Sequence, residues 1–274
     1  MKTCLLFDYQ NFANPAASIF EQVGTHIDMT GTKRLFSDIE TAERHQKIRN
    51  ALDLNAFRKR FKADKMYVFD AVRDGSGHGW HQKFEGTHYK YGHIKGDTAR
   101  KARQKAVDSN LVVHAMKFAA NNTFDKFVIF AGDLDYLPLV EDLTDQGKTV
   151  VVVAWAKSLG QDTLLRNAAD ALICFSLLDL RHVLHANPSS FGAEPIFINK
   201  ASAASVAFVA PMVTPVDRHG VKFFLMRSQG QQTRFHIARE FESEESWRTH
   251  VALSENEMLQ TDEESYAKTL FALC

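Results

Sequence analysis

Five short apolar runs punctuate the chain: "CLLF" (4–7), "MYVFDA" (66–71), "KFVIFA" (126–131), "TVVVVA" (149–154) and "ALICF" (171–175). They are continuous rather than alternating, which is the pattern of strands covered on both faces in a parallel sheet. Helical patterns lie between them. "DLNAFRKRFK" (53–62) is one, and residues 108–120 place Leu111, Ala115 and Phe118 on one face. In "DYLPLVEDLTDQG", Asp135 is expected to cap a helix, Pro138 to sit in its first turn and Gly147 to close it. Residues 160–169 are also predicted to be helical. Strands alternating with helices predict an α/β fold, a parallel sheet sandwiched by helices.

Two stretches break this rhythm. Residues 22–50 read as an irregular insertion. Residues 72–97 are rich in glycine, histidine and aromatics and read as a long loop or an embellished hairpin. From residue 186, "ANPSSFGAEP" has the composition of a linker. "ASVAFVAPMV" (204–213), "VKFFLMRS" (221–228) and "TRFHIARE" (233–240) then resemble short strands separated by turns. The predicted organisation is a main domain over 1–185 and a small α+β appendage over 186–274.

Composition changes this picture little. The chain has 274 residues, enough for a substantial core, and a formal net charge of zero, so bulk charge names no partner. Residues before 186 are mildly basic and those after it mildly acidic. Cys4, Cys174 and Cys274 are far apart and form no CxxC pair, which suits a reducing, cytosolic compartment. The first apolar run is too short for a signal peptide, and no stretch approaches a membrane span. The expectation is a cytoplasmic protein with no membrane partner.

The candidate chemistry sits at the strand ends, where parallel α/β sheets bind their ligands. Asp8 follows the first strand. Asp133 and Asp135 follow the third, and Asp108 is expected to open the helix that feeds it. A single aspartate after a strand is most often a helix cap. Capping does not require acids in three separate segments. Clustered carboxylates repel one another, and a site that gathers them suits a hard cation such as Mg2+ or Mn2+. Such ions support phosphodiester hydrolysis.

"FDYQNF" (7–12), "KAVD" (105–108), "AGDLDYLPLVEDLTDQGKTVVVVA" (131–154) and "SLGQDTLLRNAAD" (158–170) follow one another in the order and spacing of NYN domains. Over residues 1–180 the chain thus resembles the LabA/DUF88-like members of the PIN-like nuclease superfamily. The central block is the most specific part. The resemblance implies a PIN-like, Rossmann-like sheet and metal-dependent ribonuclease chemistry. It implies that Asp8, Asp108, Asp133 and Asp135 are the catalytic, metal-holding acids. Asn11 would orient the site or a phosphate, Lys105 would contact the substrate backbone, and Ser158 matches a position near the site. The first motif departs from the family's Asp-Gly-x-Asn. Tyr9 stands at the glycine position, where it is expected to alter substrate approach. A second acid six residues after Asp108 is common in the family, and here that position is His114.

Two basic stretches are candidates for phosphate contact, "FRKRFKADK" (57–65) and "KGDTARKARQK" (95–105), each otherwise a solvated helix face. The second carries Lys101 and Arg103 and leads into Lys105 and Asp108. His78 and His81 have a spacing that zinc could use, but no cysteine is near them. The leading expectation is an Mg2+- or Mn2+-dependent endoribonuclease acting on RNA, single-stranded ahead of duplex, with a homo-oligomer left open. The alternative is a catalytically weak module that binds RNA or a protein. A phosphatase using Asp8 as nucleophile lacks the second acid it needs two residues on, where Gln10 stands.

Overall fold

A computed structural model describes residues 1–27, 52–71, 87–92, 100–159, 163–179, 196–199, 211–218, 221–228, 233–241 and 257–274. Six strands form one sheet: β1 (Thr3–Asp8), β2 (Lys65–Ala71), β3 (Thr87–Gly92), β4 (Lys126–Phe130), β5 (Thr149–Trp155) and β6 (Ala171–Phe175). Their order is β3-β2-β1-β4-β5-β6, and every neighbouring pair is parallel. The chain runs outward from β1 to β3, crosses back, and builds the other half from β4 to β6. The strand order therefore reverses between β1 and β4, and such a reversal opens a crevice at the carboxyl ends of the two strands.

The apolar runs are continuous because both faces of the central strands are covered. Cys4, Leu5, Leu6 and Phe7 of β1 are all fully buried, as are Phe127, Val128, Ile129 and Phe130 of β4. Helices α1 (Tyr9–Ile27), α2 (Leu54–Arg60), α3 (Arg100–Ala120), α4 (Leu137–Asp145), α5 (Ala156–Leu159) and α6 (Leu164–Ala168) accompany the sheet. An aromatic cluster fixes the start of α1. Phe7 stacks on Phe130 at 4.6 Å between ring centres, and Phe12 meets Phe130 edge-on at 5.2 Å. The Trp155 indole N–H donates to the Phe12 carbonyl at 2.8 Å. Asp8 lies between two anchored phenylalanines.

The structure corrects the expected elements in three places. The long loop contains β3, which pairs in parallel with β2, so the connection is a crossover and not a hairpin. Its "THYKYG" lacks an aliphatic run, and His88 is exposed and stacks on Tyr67 at 4.8 Å. Helix α3 begins at Arg100, well before the expected 108, so Asp108 lies in its third turn. The preceding Arg, Lys, Ala and Gln are strong helix formers that carry no apolar period. The cap also differs. Asp133 accepts the Asp135 N–H and caps a 3-10 turn over Leu134–Tyr136, and α4 starts at Leu137 with no side-chain cap. Pro138 and Gly147 stand as expected, Gly147 with φ of 72°. Residues 28–50 of the irregular insertion, the linker at 186–195 and residues 204–210 lie outside the described residues. Among the described residues no helix is long and apolar enough to cross a membrane.

A second, antiparallel sheet follows, in the order β7-β11-β10-β9-β8. Its strands are β7 (Ile196–Asn199), β8 (Val216–Arg218), β9 (Val221–Arg227), β10 (Phe235–Phe241) and β11 (Glu257–Thr261), and α7 (Glu264–Ala272) packs on it. Alternating burial along β9 reflects a sheet with one covered face. The covered face belongs to the same apolar cluster as the first sheet, with Phe223, Leu225 and Ile237 buried alongside Leu177 and Leu178. Within that contact Arg239 of β10 meets Asp179, just past β6, through two hydrogen bonds of 2.7 and 2.9 Å. Both side chains are 1% exposed, and the Ser176 N–H also donates to Asp179.

Removing one partner of such a pair leaves a charge in the core, which costs about 3–5 kcal/mol. Arg239→Met is expected to lower stability by that amount in urea denaturation. Arg239→Met combined with Asp179→Leu is expected to recover most of the loss, since an apolar pair carries no buried charge.

Candidate active site

The last residue of β1 is Asp8, and its carboxylate is buried at the switch point. One oxygen accepts the Asn11 backbone N–H at 3.0 Å. The other accepts the Tyr136 hydroxyl at 2.7 Å. The same hydroxyl lies 3.0 Å from a carboxylate oxygen of Asp108 on α3. A tyrosine hydroxyl has one proton to give. It can donate to only one of these carboxylates at a time, so the three oxygens must divide few protons between them. Burial raises the Tyr136 phenol far above its usual range, and the two carboxylates add to this, so the phenol stays protonated and remains the donor.

Asp8 is pushed up to about 7, first by burial and then by the charges of Asp108 and Asp70; its two hydrogen bonds oppose the rise. Burial also raises Asp108, helped by the charges of Asp133 and Asp135, while hydrogen bonds from Tyr136 and Asp8 hold it down. Burial thus raises both carboxyls, and the Tyr136 hydroxyl partly offsets the rise at each.

Asn11 braces the two halves of the crevice. Its side-chain oxygen accepts the Gly132 N–H at 2.8 Å, tying the start of α1 to the loop after β4. That loop packs closely on α5. A Cβ at Gly132 would come within 2.5 Å of the Ser158 hydroxyl oxygen, so only glycine fits there. The Ser158 hydroxyl donates to the Trp155 carbonyl at 2.8 Å, so its proton serves the turn after β5. Asn11, Gly132, Asp133, Leu134, Lys157 and Ser158 line a cleft of about 360 Å³.

The predicted residues thus fall into three groups. Asp8 and Asp108 meet through Tyr136, while Asp133 and Asp135 stand near enough to act on Asp108 electrostatically. Asn11 and Ser158 line the adjoining cleft. Lys101, Arg103 and Lys105 stand on the first turns of α3, which starts at the carboxyl edge of the sheet, and their side chains lie outside the description. The other basic stretch, 57–65, leads into the beginning of β2 at the opposite edge, where Lys65 is in register with Cys4. His114 bonds the Asn110 carbonyl at 2.8 Å and packs its ring on Phe69 and Phe118. Tyr9 is buried beside Phe7, with 6.3 Å between ring centres. His78, His81 and their neighbours lie outside the described residues.

Three residues belong to the site without having been singled out from the sequence. Tyr136 joins Asp8 to Asp108, although it reads as one more apolar position of a helical pattern. Asp70 is buried at the end of β2, accepts a hydrogen bond from Gln10 at 3.1 Å and raises Asp8. Its position near the end of the second apolar run was a usable signal. Lys157 lines the cleft one residue before Ser158.

The donors fit a hard divalent cation. They are carboxylate oxygens, and their raised affinity for protons is what a cation would relieve. Among the described residues no group of three His, Cys, Asp or Glu side chains is arranged to hold an ion by itself. That still suits Mg2+, which is commonly held by one or two carboxylates, with water and phosphate oxygens completing the shell.

A parallel sheet flanked by helices, with carboxylates at its switch point, is consistent with a PIN-like α/β fold. The chain belongs to the NYN domain family, whose model matches residues 2–178. Among solved structures, the chain is similar to a protein of unknown function from Vibrio parahaemolyticus at 16% identity. The match has a TM-score of 0.39 and covers 64% of this chain and 93% of that one. No curated protein matches the chain.

The raised Asp8 carboxyl ties stability to pH. Between its ordinary 3.8 and about 7 the folded state binds a proton that the unfolded chain has released. Stability from this group is therefore present below that window and is lost as pH rises through it. Asp8→Asn is expected to flatten the profile between pH 4 and pH 7 and to gain up to about 4 kcal/mol at pH 8. Thermal unfolding of both proteins across that range checks this.

Proposed function

We propose that the chain is a metal-dependent endoribonuclease that hydrolyses RNA phosphodiester bonds at the Asp8–Asp108 crevice. The observation that carries this reading is the pair of carboxylates bridged by one hydroxyl at the switch point, with Asp70, Asp133 and Asp135 adding negative charge. A protein that only held RNA would gain nothing from acids gathered there, because they repel the phosphates.

Asp8 and Asp108 would hold the ion, with Asp133 and Asp135 adding negative charge beside it. Bound Mg2+ or Mn2+ supplies an activated water and neutralises the charge that develops on the phosphate. The Tyr136 hydroxyl fixes the rotamers of both acids. Asn11 keeps the Gly132 loop against the end of β1, so Asp133 is held at a constant distance from Asp8. Lys101, Arg103 and Lys105 approach the RNA backbone from the α3 side. The protein is cytoplasmic on this reading, and its substrate is single-stranded.

A second reading is a module that binds RNA with little turnover. The packed ring of His114, where the family commonly has an acid, favours it. The two separate in one experiment. Cleavage of labelled single-stranded RNA is expected with Mn2+ or Mg2+, none with EDTA. Asp8→Asn and Asp133→Asn are each expected to lose about 100-fold or more, the size seen when a group that stabilises transition-state charge is removed. RNA bound equally well in EDTA and never cut would establish the binding module instead.

A further inference from the structure

Helix α5 follows β5 without a loop, and its position is tightly set. Ala156 and Leu159 are buried on either side, and the Ser158 hydroxyl closes the turn onto Trp155. Lys157 is the exposed member of this turn. Its ammonium reaches the Ser18 hydroxyl at 3.1 Å and forms no ion pair among the described residues. In the same cleft stands Leu134, which is 40% exposed although Ala131 and Tyr136 beside it are buried. The 3-10 turn that carries Leu134 also packs against α6. A cation and an exposed apolar surface therefore share one small cavity whose floor is the Asn11–Gly132 hydrogen bond.

We propose that this cleft is a subsite for one nucleotide of a single-stranded RNA, with Lys157 holding its phosphate and Leu134 lying against its base. The volume of about 360 Å³ suits a single small ligand. The two chemistries are those a nucleotide presents, an anion and a flat apolar face. Asp133 in the same wall disfavours a free small dianion, whereas a diester in a strand carries only one charge per phosphate. The subsite lies on the β4–β5 side of the acids and α3 on the β1–β3 side, so a strand held by both would cross the Asp8–Asp108 crevice. The proposal rests on the nuclease reading for the identity of the strand, though it can be tested without cleavage.

The experiment is binding of a fluorescent single-stranded RNA in EDTA at several salt concentrations, with wild-type protein, Lys157→Ala, Lys157→Arg and Leu134→Ser. One phosphate contact on a single strand contributes about 0.7 to the slope of log affinity against log salt. Lys157→Ala is expected to weaken binding about fivefold to tenfold at low salt and to flatten the slope by about that amount. Lys157→Arg keeps both the affinity and the slope. Leu134→Ser weakens binding several-fold and leaves the slope unchanged. An Ala variant that keeps the wild-type melting temperature, affinity and slope overturns the subsite, as does wild-type protein that binds no RNA. If Lys157→Ala flattens the slope while wild-type protein never cuts RNA with Mn2+ or Mg2+, the subsite stands and the nuclease reading falls.

Discussion

A single phenolic proton governs the arrangement of the site. Tyr136 lies within hydrogen-bond distance of both Asp8 and Asp108, and each of these acids belongs to a different part of the fold. β1 supplies one, the third turn of α3 supplies the other, and the turn after β4 supplies the tyrosine. Two carboxylates so close would drive the segments apart if both were charged and unbridged. The Tyr136 hydroxyl between them lets the sheet, α3 and the β4 turn close on one another. The aromatic cluster beneath, with Phe7 stacked on Phe130, holds the strand ends that carry these groups.

Much of the fold was legible because burial on both faces leaves a simple mark. Five of the six parallel strands are uninterrupted apolar runs, and their observed limits differ from the expected ones by no more than a residue at either end. β3 was not legible for the converse reason: His88 on it is exposed, and its tyrosines, histidine and lysine look like a loop. The first turns of α3 were hidden because "RKARQKA" carries no apolar period. Asp135 was expected to cap and Asp133 does so instead, because the choice depends on the backbone after Gly132.

The site was legible in part for a related reason. Acids at strand ends stand out against apolar runs, so Asp8, Asp133 and Asp135 were visible, and the spacing resemblance brought in Asp108. Tyr136 was not visible as a site residue, because a buried tyrosine and a bridging tyrosine occupy the same kind of position in a helical pattern. Asp70 was in view at the end of its strand but had no partner in the sequence; its link to Gln10 exists only once β1 and β2 are paired. Ser158 shows the reverse. Its place in the motif suggested contact with substrate, while its hydroxyl proton is spent on the Trp155 carbonyl and its bulk is matched to Gly132.

Asp179 lies one residue beyond the stretch that the NYN model covers, and its partner Arg239 lies far beyond it. The boundary that family resemblance draws through this chain is therefore not a boundary of its interior. The guanidinium that satisfies the last acid of the first sheet comes from the second sheet, and apolar side chains of both fill the space around it. A protease cut in the connection between residues 180 and 195 would sever the backbone without separating the parts. The two pieces would remain associated as complementing fragments, and each alone would present a raw apolar face and an ion without its counter-charge.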